Sequence, residues 1–388
     1  MKVEFLLDPN ITHLNHGAFG TCPRAVLEKQ SELRAQLERN PLHFFIRELE
    51  GLLDETRNAL APFLGAQVED LVFVRNATEG VNTVLASLPL AAGDEVLFTD
   101  HVYAACRNAA QYWAARRSAI ARPVLVPFPL RSSDEIVNAV LAGVTAKTKL
   151  VLLDHVTSPT GLVMPIERLV RALSARGIET LVDGAHAPGM LPLSLEQLGA
   201  SYYTGNFHKW CFTPKGAAFL WVPRERQAKI RPLVISHGAS ATRTDRSRFL
   251  LEFDWMGSAD PSAILSIPSA LRVLENAVPG GAAGLRARNH ALVLAARDAL
   301  CEALGSEPPC PNEMLGSLAA VLLPERTPTV PTPEALYTAL RERHRIETFV
   351  VAWPGRASGF VRVAAQLYNS LEQYQRLASA LKSELGLA

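Results

Sequence analysis

Three short polar segments of this chain have residue types that could do chemistry together. In Thr204-Gly205-Asn206-Phe207-His208-Lys209-Trp210 a lysine lies close to two aromatic residues, just past an apolar run. A lysine in a partly dry site has a lowered pKa, and its free amine can condense with a carbonyl and later move a proton. His208 and Asn206 could add hydrogen-bond donors to a phosphate. Asp183 ends a second apolar run and precedes Gly184-Ala185-His186. A carboxylate set against a protonated ring nitrogen favours a ring that takes up electrons from a substrate α-carbon. Asn76-Ala77-Thr78-Glu79-Gly80 follows a third run and opens a segment with Val81, Val84, Leu85 and Leu88 at helical spacing. Free backbone N–H groups at Ala77 and Thr78, the Thr78 hydroxyl and the helix dipole would bind a phosphate. Each segment also has a plainer reading: Asn76 or Thr78 as an N-cap, Asp183 as a cap or loop acid, Lys209 as a solvated charge.

The elements that must carry these residues are legible from hydropathy. Apolar runs at 71–74, 95–98, 124–126, 150–153, 179–182, 200–203 and 217–222 alternate with amphipathic segments. Buried strands separated by helices predict an α/β fold with a mostly parallel seven-stranded sheet covered on both faces. The three polar segments then fall at carboxyl ends of strands, where a site in an open α/β sheet belongs. Residues 23–64 have helical periodicity. A Pro/Gly cluster at 277–281 marks the approach to a smaller α+β unit. That unit comprises an amphipathic stretch at 285–304, a Pro-rich loop at 307–333, a strand at 359–363 and a closing helix with Leu371, Tyr374, Leu377 and Leu381 on one face. The expected division is a large domain at 16–275 and a small one made of 1–15 with 276–388.

Composition narrows the function classes. A net charge of +1 without Lys/Arg runs gives no nucleic-acid footprint. The first residues lack the apolar core of a signal peptide, and no apolar stretch reaches the ~20 residues of a membrane helix. The five cysteines form no C-x-x-C pair, so neither a disulfide framework nor a metal site is expected, and a cytoplasmic setting with reduced thiols fits. Neither G-x-G-x-x-G nor G-x-x-x-x-G-K is present at the phosphate-binding segment, which favours a small phosphorylated cofactor over ATP or NAD.

In order and spacing these motifs resemble the class V aminotransferase family of fold-type I pyridoxal 5′-phosphate enzymes, and within it the isopenicillin N epimerase-like branch. The resemblance runs from Leu14-Asn15-His16-Gly17 to Tyr368-Asn369-Ser370. It implies pyridoxal 5′-phosphate as cofactor, held as a Schiff base by Lys209, with Asp183 on the pyridine nitrogen and His186 and His208 beside them. It implies that Ala77, Thr78 and Asn206 bind the phosphate and that Thr157 meets the phenolic oxygen. Tyr103 falls where the family commonly stacks a histidine on the ring, with His101 the less favoured stacker. A tyrosine stacks as well but cannot protonate substrate in the same way. Arg362 corresponds to the arginine that holds a substrate α-carboxylate by its guanidinium fork, and Asn15 is a second substrate-binding candidate. Ser258, in Gly257-Ser258-Ala259-Asp260, matches a loop that reaches the neighbouring subunit's phosphate, which implies a homodimer with shared sites. The other reading of that loop is a turn that caps the next helix.

The resemblance leaves the reaction open. An epimerase or racemase acting on a small amino-acid substrate needs a second acid/base besides Lys209, for which Tyr103 or the Leu14-Asn15-His16 segment is available. Carbon–sulfur β-elimination of the ergothioneine-pathway type uses the same α-deprotonation, and transamination is a third outcome. A persulfide-forming desulfurase is disfavoured, because the stretch from Thr348 to Ser358 has no cysteine. A non-catalytic cofactor-binding regulator is the alternative of another class. Arg47, Arg243 and Arg246 could bind a distal carboxylate or be surface charges.

Overall fold

In the computed structural model, residues 3–324, 331–354 and 356–387 are described. A two-residue strand, β1 (Thr12–His13), precedes the helices Arg24–Arg39 and Leu49–Leu64. The strands β2 (Leu71–Val74), β3 (Glu95–Thr99), β4 (Ile120–Val124), β5 (Thr148–Asp154), β6 (Glu179–Asp183), β7 (Tyr202–Asn206) and β8 (Ala218–Trp221) then form one sheet. Its order is β2-β8-β7-β6-β5-β3-β4. The pairs from β7 to β4 are parallel, and β8 alone runs against its neighbours β2 and β7.

Successive side chains of a strand point to opposite faces, so a doubly covered sheet needs apolar residues at both phases. Phe73, Val151, Leu153, Val182, Tyr203 and Phe219 enter one core. Val72, Val74, Leu150, Leu152, Leu181, Tyr202 and Leu220 enter the other. Helices Ala77–Ser87 and Ala104–Ala115 supply Val81, Val84, Leu85, Cys106 and Ala110 to the second core. Helices Ser133–Gly143 and Ile166–Ser174 supply Ile136, Val140, Leu169 and Leu173 to the first. Gly80 is what lets helix Ala77–Ser87 close onto β7, since a Cβ there would stand 2.1 Å from Thr204 Oγ1.

Two expectations shift. The strand placed at 124–126 lies at Ile120–Val124, and Leu125 is exposed. As the sheet's edge, β4 pairs only with β3 and carries Pro123, which an edge tolerates, so its apolar signal is weak. The Pro-rich stretch at 307–333 is not all loop: it contains β9 (Leu318–Leu322), while its residues 325–330 lie outside the described ones. Strand β9 pairs antiparallel with β12 (Arg356–Ala364), which pairs with β11 (Phe349–Trp353). Helix Gly281–Leu304 packs on the closing helix Leu371–Leu385. Strand β1 pairs in parallel with β10 (Ile346–Glu347), and Ala364 N donates to Leu14 O at 2.8 Å. These bonds hold Asn15 and His16 between the two sheets. Among the described residues no helix is long and apolar enough to cross a membrane, and the five cysteines are buried and unpaired.

Candidate active site

The carboxyl ends of β5, β6 and β7 and the N-termini of helices Ala77–Ser87 and Ala104–Ala115 meet at a cavity of about 350 Å³. That is within the ~300–1,000 Å³ of small-molecule sites. Lys209 follows β7 and lines it. Burial first, and the Arg362 charge second, lower the Lys209 amine to about 8, because removal from water disfavours the charged form. Its Nζ lies 3.0 Å from His186 Nε2. Trp210 Nε1 donates to His186 Nδ1 at 3.3 Å, so in the neutral ring the proton sits on Nε2 and is donated to the lysine. A neutral imidazole donating to Nζ requires a neutral amine, a form that the lowering from 10.5 to about 8 makes more accessible. Burial, followed by the Lys209 charge, holds His186 well below the ordinary imidazole range.

The cavity's acidic wall comes from two neighbouring strands. Asp183 Oδ1 accepts Ala185 N–H at 2.9 Å, and Oδ2 accepts the Cys106 thiol at 3.1 Å. Asp154, which ends β5 in register with Asp183, accepts only a long bond from Tyr103 N, 3.4 Å to Oδ1. Among the described residues its Oδ2 is buried without a partner. Burial raises both carboxyls, and Asp154 rises well above the usual range because the Asp183 charge adds to its burial. Sequence reading missed Asp154 and Cys106. Asp154 ends an apolar run just as Asp183 does, and that signal would have found it.

Thr78, Asn206, His208, Arg75 and Lys215 also line the cavity and supply donors for an anion, the two last being further residues not expected from sequence; Arg75 is ion-paired with Glu79. The Ala77 N–H, expected to be free, instead donates to Asn206 Oδ1 at 2.8 Å. Asn76 caps the helix through Glu79 N. His208 is lowered to about 4 by burial and the Lys209 charge, and its Nδ1 is buried without a partner. Tyr103 lines the cavity and is 46% exposed.

Arg362, on β12, is buried. It bonds Asn15 Oδ1 at 3.1 Å and, through Nη1, the Ser158 carbonyl, and it stacks 4.6 Å from the Phe349 ring centre. Its Nε has no partner, and no carboxylate pairs with it among the described residues. Burial lowers it to about 10. Arg362 and Asn15 do not themselves line the cavity, but Ser158, to which Arg362 is bonded, does.

Other expected residues lie elsewhere. Thr157 does not line the cavity: its Oγ1 accepts Leu162 N–H at 2.9 Å and bonds Thr160 Oγ1 at 2.7 Å, so its turn consumes the hydroxyl. His101 is buried against Thr160, the Val126 carbonyl and Trp353. His16 bonds Tyr368 Oη through Nδ1 at 2.9 Å and donates from Nε2 to the Lys209 carbonyl at 2.8 Å. Ser258 is exposed in an adjoining cavity that shares Arg75 and Lys215. Arg243 pairs with Glu50 and Asp245, and Arg246 with Asp54 and Asp254, so both are used structurally. Arg47 lines a separate cavity with Phe45 and Trp255.

The donor set fits pyridoxal 5′-phosphate on an observation of this structure: an enclosed amine, a buried anion with a second, half-satisfied carboxyl, and donors for an anion share one cavity. Three of the eight buried side-chain atoms without partners among the described residues, Asp154 Oδ2, His208 Nδ1 and Arg362 Nε, belong to residues at or beside it.

Comparison with known proteins gives four results. A family model described as "Aminotransferase class-V" matches residues 14–311. Isopenicillin N epimerase of Amycolatopsis lactamdurans is 35% identical, the match covering 98% of this chain and 97% of that one. A probable chloroplastic L-cysteine desulfhydrase of Arabidopsis thaliana is 30% identical over 96% of this chain and 83% of its own. An apo cysteine desulfurase structure from Thermococcus onnurineus superposes with a TM-score of 0.80 at 19% identity, covering 100% of this chain and 99% of that one. This last likeness speaks to the fold alone.

Proposed function

Because this chain belongs to the class-V aminotransferase family, we propose that it is a pyridoxal 5′-phosphate-dependent enzyme that epimerises an amino acid or amino-acid derivative at its α-carbon. The observation that carries this reading is the Lys209 amine, lowered to about 8 inside a cavity that also holds Asp183. Lys209 would hold the cofactor aldehyde, Asp183 and His186 the ring, Tyr103 the ring face, and Thr78, Asn206 and His208 the phosphate. The cofactor, when bound, supplies an electron sink for a substrate α-carbon. Arg362, oriented by Asn15 and Ser158, grips the substrate carboxylate through its fork. Lys209 Nζ takes the α-proton on one face. Epimerisation then needs a proton returned on the other face, and Tyr103 Oη is the acid for it. His16 is unsuited, since both its ring nitrogens are bound and burial lowers it to about 3.

Carbon–sulfur β-elimination is the second reading, favoured by the desulfhydrase among the similar proteins. It uses the same α-deprotonation and needs no second face. Against a persulfide mechanism stands the lack of a cysteine from Thr348 to Ser358. Buried cysteines, with Cys106 raised well above the ordinary thiol by burial, are poor nucleophiles. Two further parts belong to this proposal. One is a homodimer in which Ser258, exposed at the shared cavity edge, completes the partner's phosphate site, in a cytoplasmic protein. The other is the division into 16–275 and 1–15 with 276–388, supported by the β1–β10 pairing.

Incubating the purified protein and pyridoxal 5′-phosphate with a panel of L-amino acids in heavy water tests the reading. Deuterium at the α-carbon together with the D-isomer is the expected result. Pyruvate with sulfide, or a keto acid, without inversion would replace it by elimination or transamination. Absence of any exchange or product would remove the enzymatic reading.

A further inference from the structure

Asp154 and Asp183 end adjacent parallel strands at paired positions, and both side chains are buried. Two carboxylates so placed do not both ionise cheaply, and local hydrogen bonding decides which keeps the charge. Asp183 has two donors, the Ala185 N–H at 2.9 Å and the Cys106 thiol at 3.1 Å. Asp154 has one long bond at 3.4 Å and an oxygen with no partner. The groups that face it are Asp183 on β6, Cys106 and the Tyr103 amide on helix Ala104–Ala115 and its cap, and Lys209 after β7. Only Lys209 among them could be a cation, and it donates no hydrogen bond to Asp154 in the structure.

We propose that Asp154 carries a proton at neutral pH and serves as a neutral hydrogen-bond donor on the cavity wall, beside Asp183 as the fixed anion. The wall then presents one negative charge and one donor. Asp154 lines the cavity, so its carboxyl is left for the bound ring system and Asp154 is a positioning residue for it. This role rests on the cofactor reading above, whereas the proton itself does not.

Two readouts test the proposal. Infrared spectra of the full chain at neutral pH should contain the C=O stretch of a buried protonated carboxyl that disappears in Asp154→Asn. The second readout is a titration with pyridoxal 5′-phosphate. Asp154→Asn, a neutral donor of similar shape, should stay within about threefold of the parent, whereas Asp154→Ala should weaken binding roughly tenfold through the lost hydrogen bond. Asp183→Asn should be the most damaging of the three. Absence of the infrared band, or an Asp154→Asn protein as impaired as Asp183→Asn, would overturn the proposal by making Asp154 an anion. An Asp154→Ala protein with unchanged affinity would overturn its positioning role. Should the parent bind no pyridoxal 5′-phosphate, the cofactor reading fails, and the infrared band still decides the proton.

Discussion

Two clusters of buried charge in this molecule are built in opposite ways. Beneath the N-terminal helices, Arg57 is fully buried, yet it donates to Leu71 O at 2.9 Å, Asp54 at 2.5 Å and Asp254 at 2.6 Å. Arg246 joins the same two acids, which hold it more firmly protonated than usual. At the carboxyl ends of β5 to β7 the charges are left short of partners: Lys209 faces a neutral imidazole, Arg362 has no acid, and Asp154 has an orphan oxygen. There the cations are lowered, Lys209 to about 8 and Arg362 to about 10. Pairing offsets desolvation and makes a charge structural. Desolvation without pairing leaves a group near its titration point, where it can exchange protons or accept a ligand.

The contrast breaks most visibly at Lys209. Lys209→Ala should lower turnover by roughly 10⁴-fold or more, the scale of losing both nucleophile and base, while the melting temperature holds or rises. A melting temperature that falls with little loss of turnover would place Lys209 in the structural class. Arg57→Ala should do the reverse. Stability should drop by about 3 kcal/mol, because Asp54 and Asp254 are left with Arg246 as their cation and the buried Leu71 carbonyl loses its donor, with the pyridoxal 5′-phosphate affinity of the folded fraction unchanged; urea unfolding followed by a binding titration separates the two. Arg362→Lys keeps the charge and loses the fork, so kcat/KM should fall roughly 10- to 100-fold, mainly through KM. An effect confined to kcat would mean that the arginine does not hold the ground-state substrate.

The smallest effect concerns a buried histidine outside both clusters. His155, bonded to Tyr203 Oη at 2.8 Å, is lowered by burial from 6.5 to about 4. The folded protein thus binds fewer protons than the unfolded chain between those values. Its contribution is present above pH 6.5 and is lost as pH falls toward 4. His155→Gln should remove at most about 2 kcal/mol of the stability lost between pH 7 and pH 5, read from urea midpoints at both pH values.

Much of this arrangement was legible before any coordinates. Asp183 and Lys209 stand at or just past the ends of apolar runs, where a polar residue has few structural reasons to be, and the sheet that carries them follows from short continuous apolar runs alternating with amphipathic segments. Asp154 obeys the same rule, but its meaning depends on lying opposite Asp183, and strand register is not written locally. Thr157 was misplaced for a related reason: whether a hydroxyl faces a cavity or closes its own turn depends on Leu162 and Thr160 folding back. The Ala77 amide was expected free because Asn206, 129 residues away, gives no local sign of covering it. Edge strand β4 and strand β9 were blurred by neighbouring prolines and by a weak apolar pattern.

The central claim is that one enclosed amine is the reactive group, and the chain offers a built-in control, because Lys215 lines the same cavity. Borohydride reduction of the protein with pyridoxal 5′-phosphate, followed by peptide mass spectrometry, should place the pyridoxyl group on Lys209. A label on Lys215, or scattered over surface lysines at the same yield, would contradict the account.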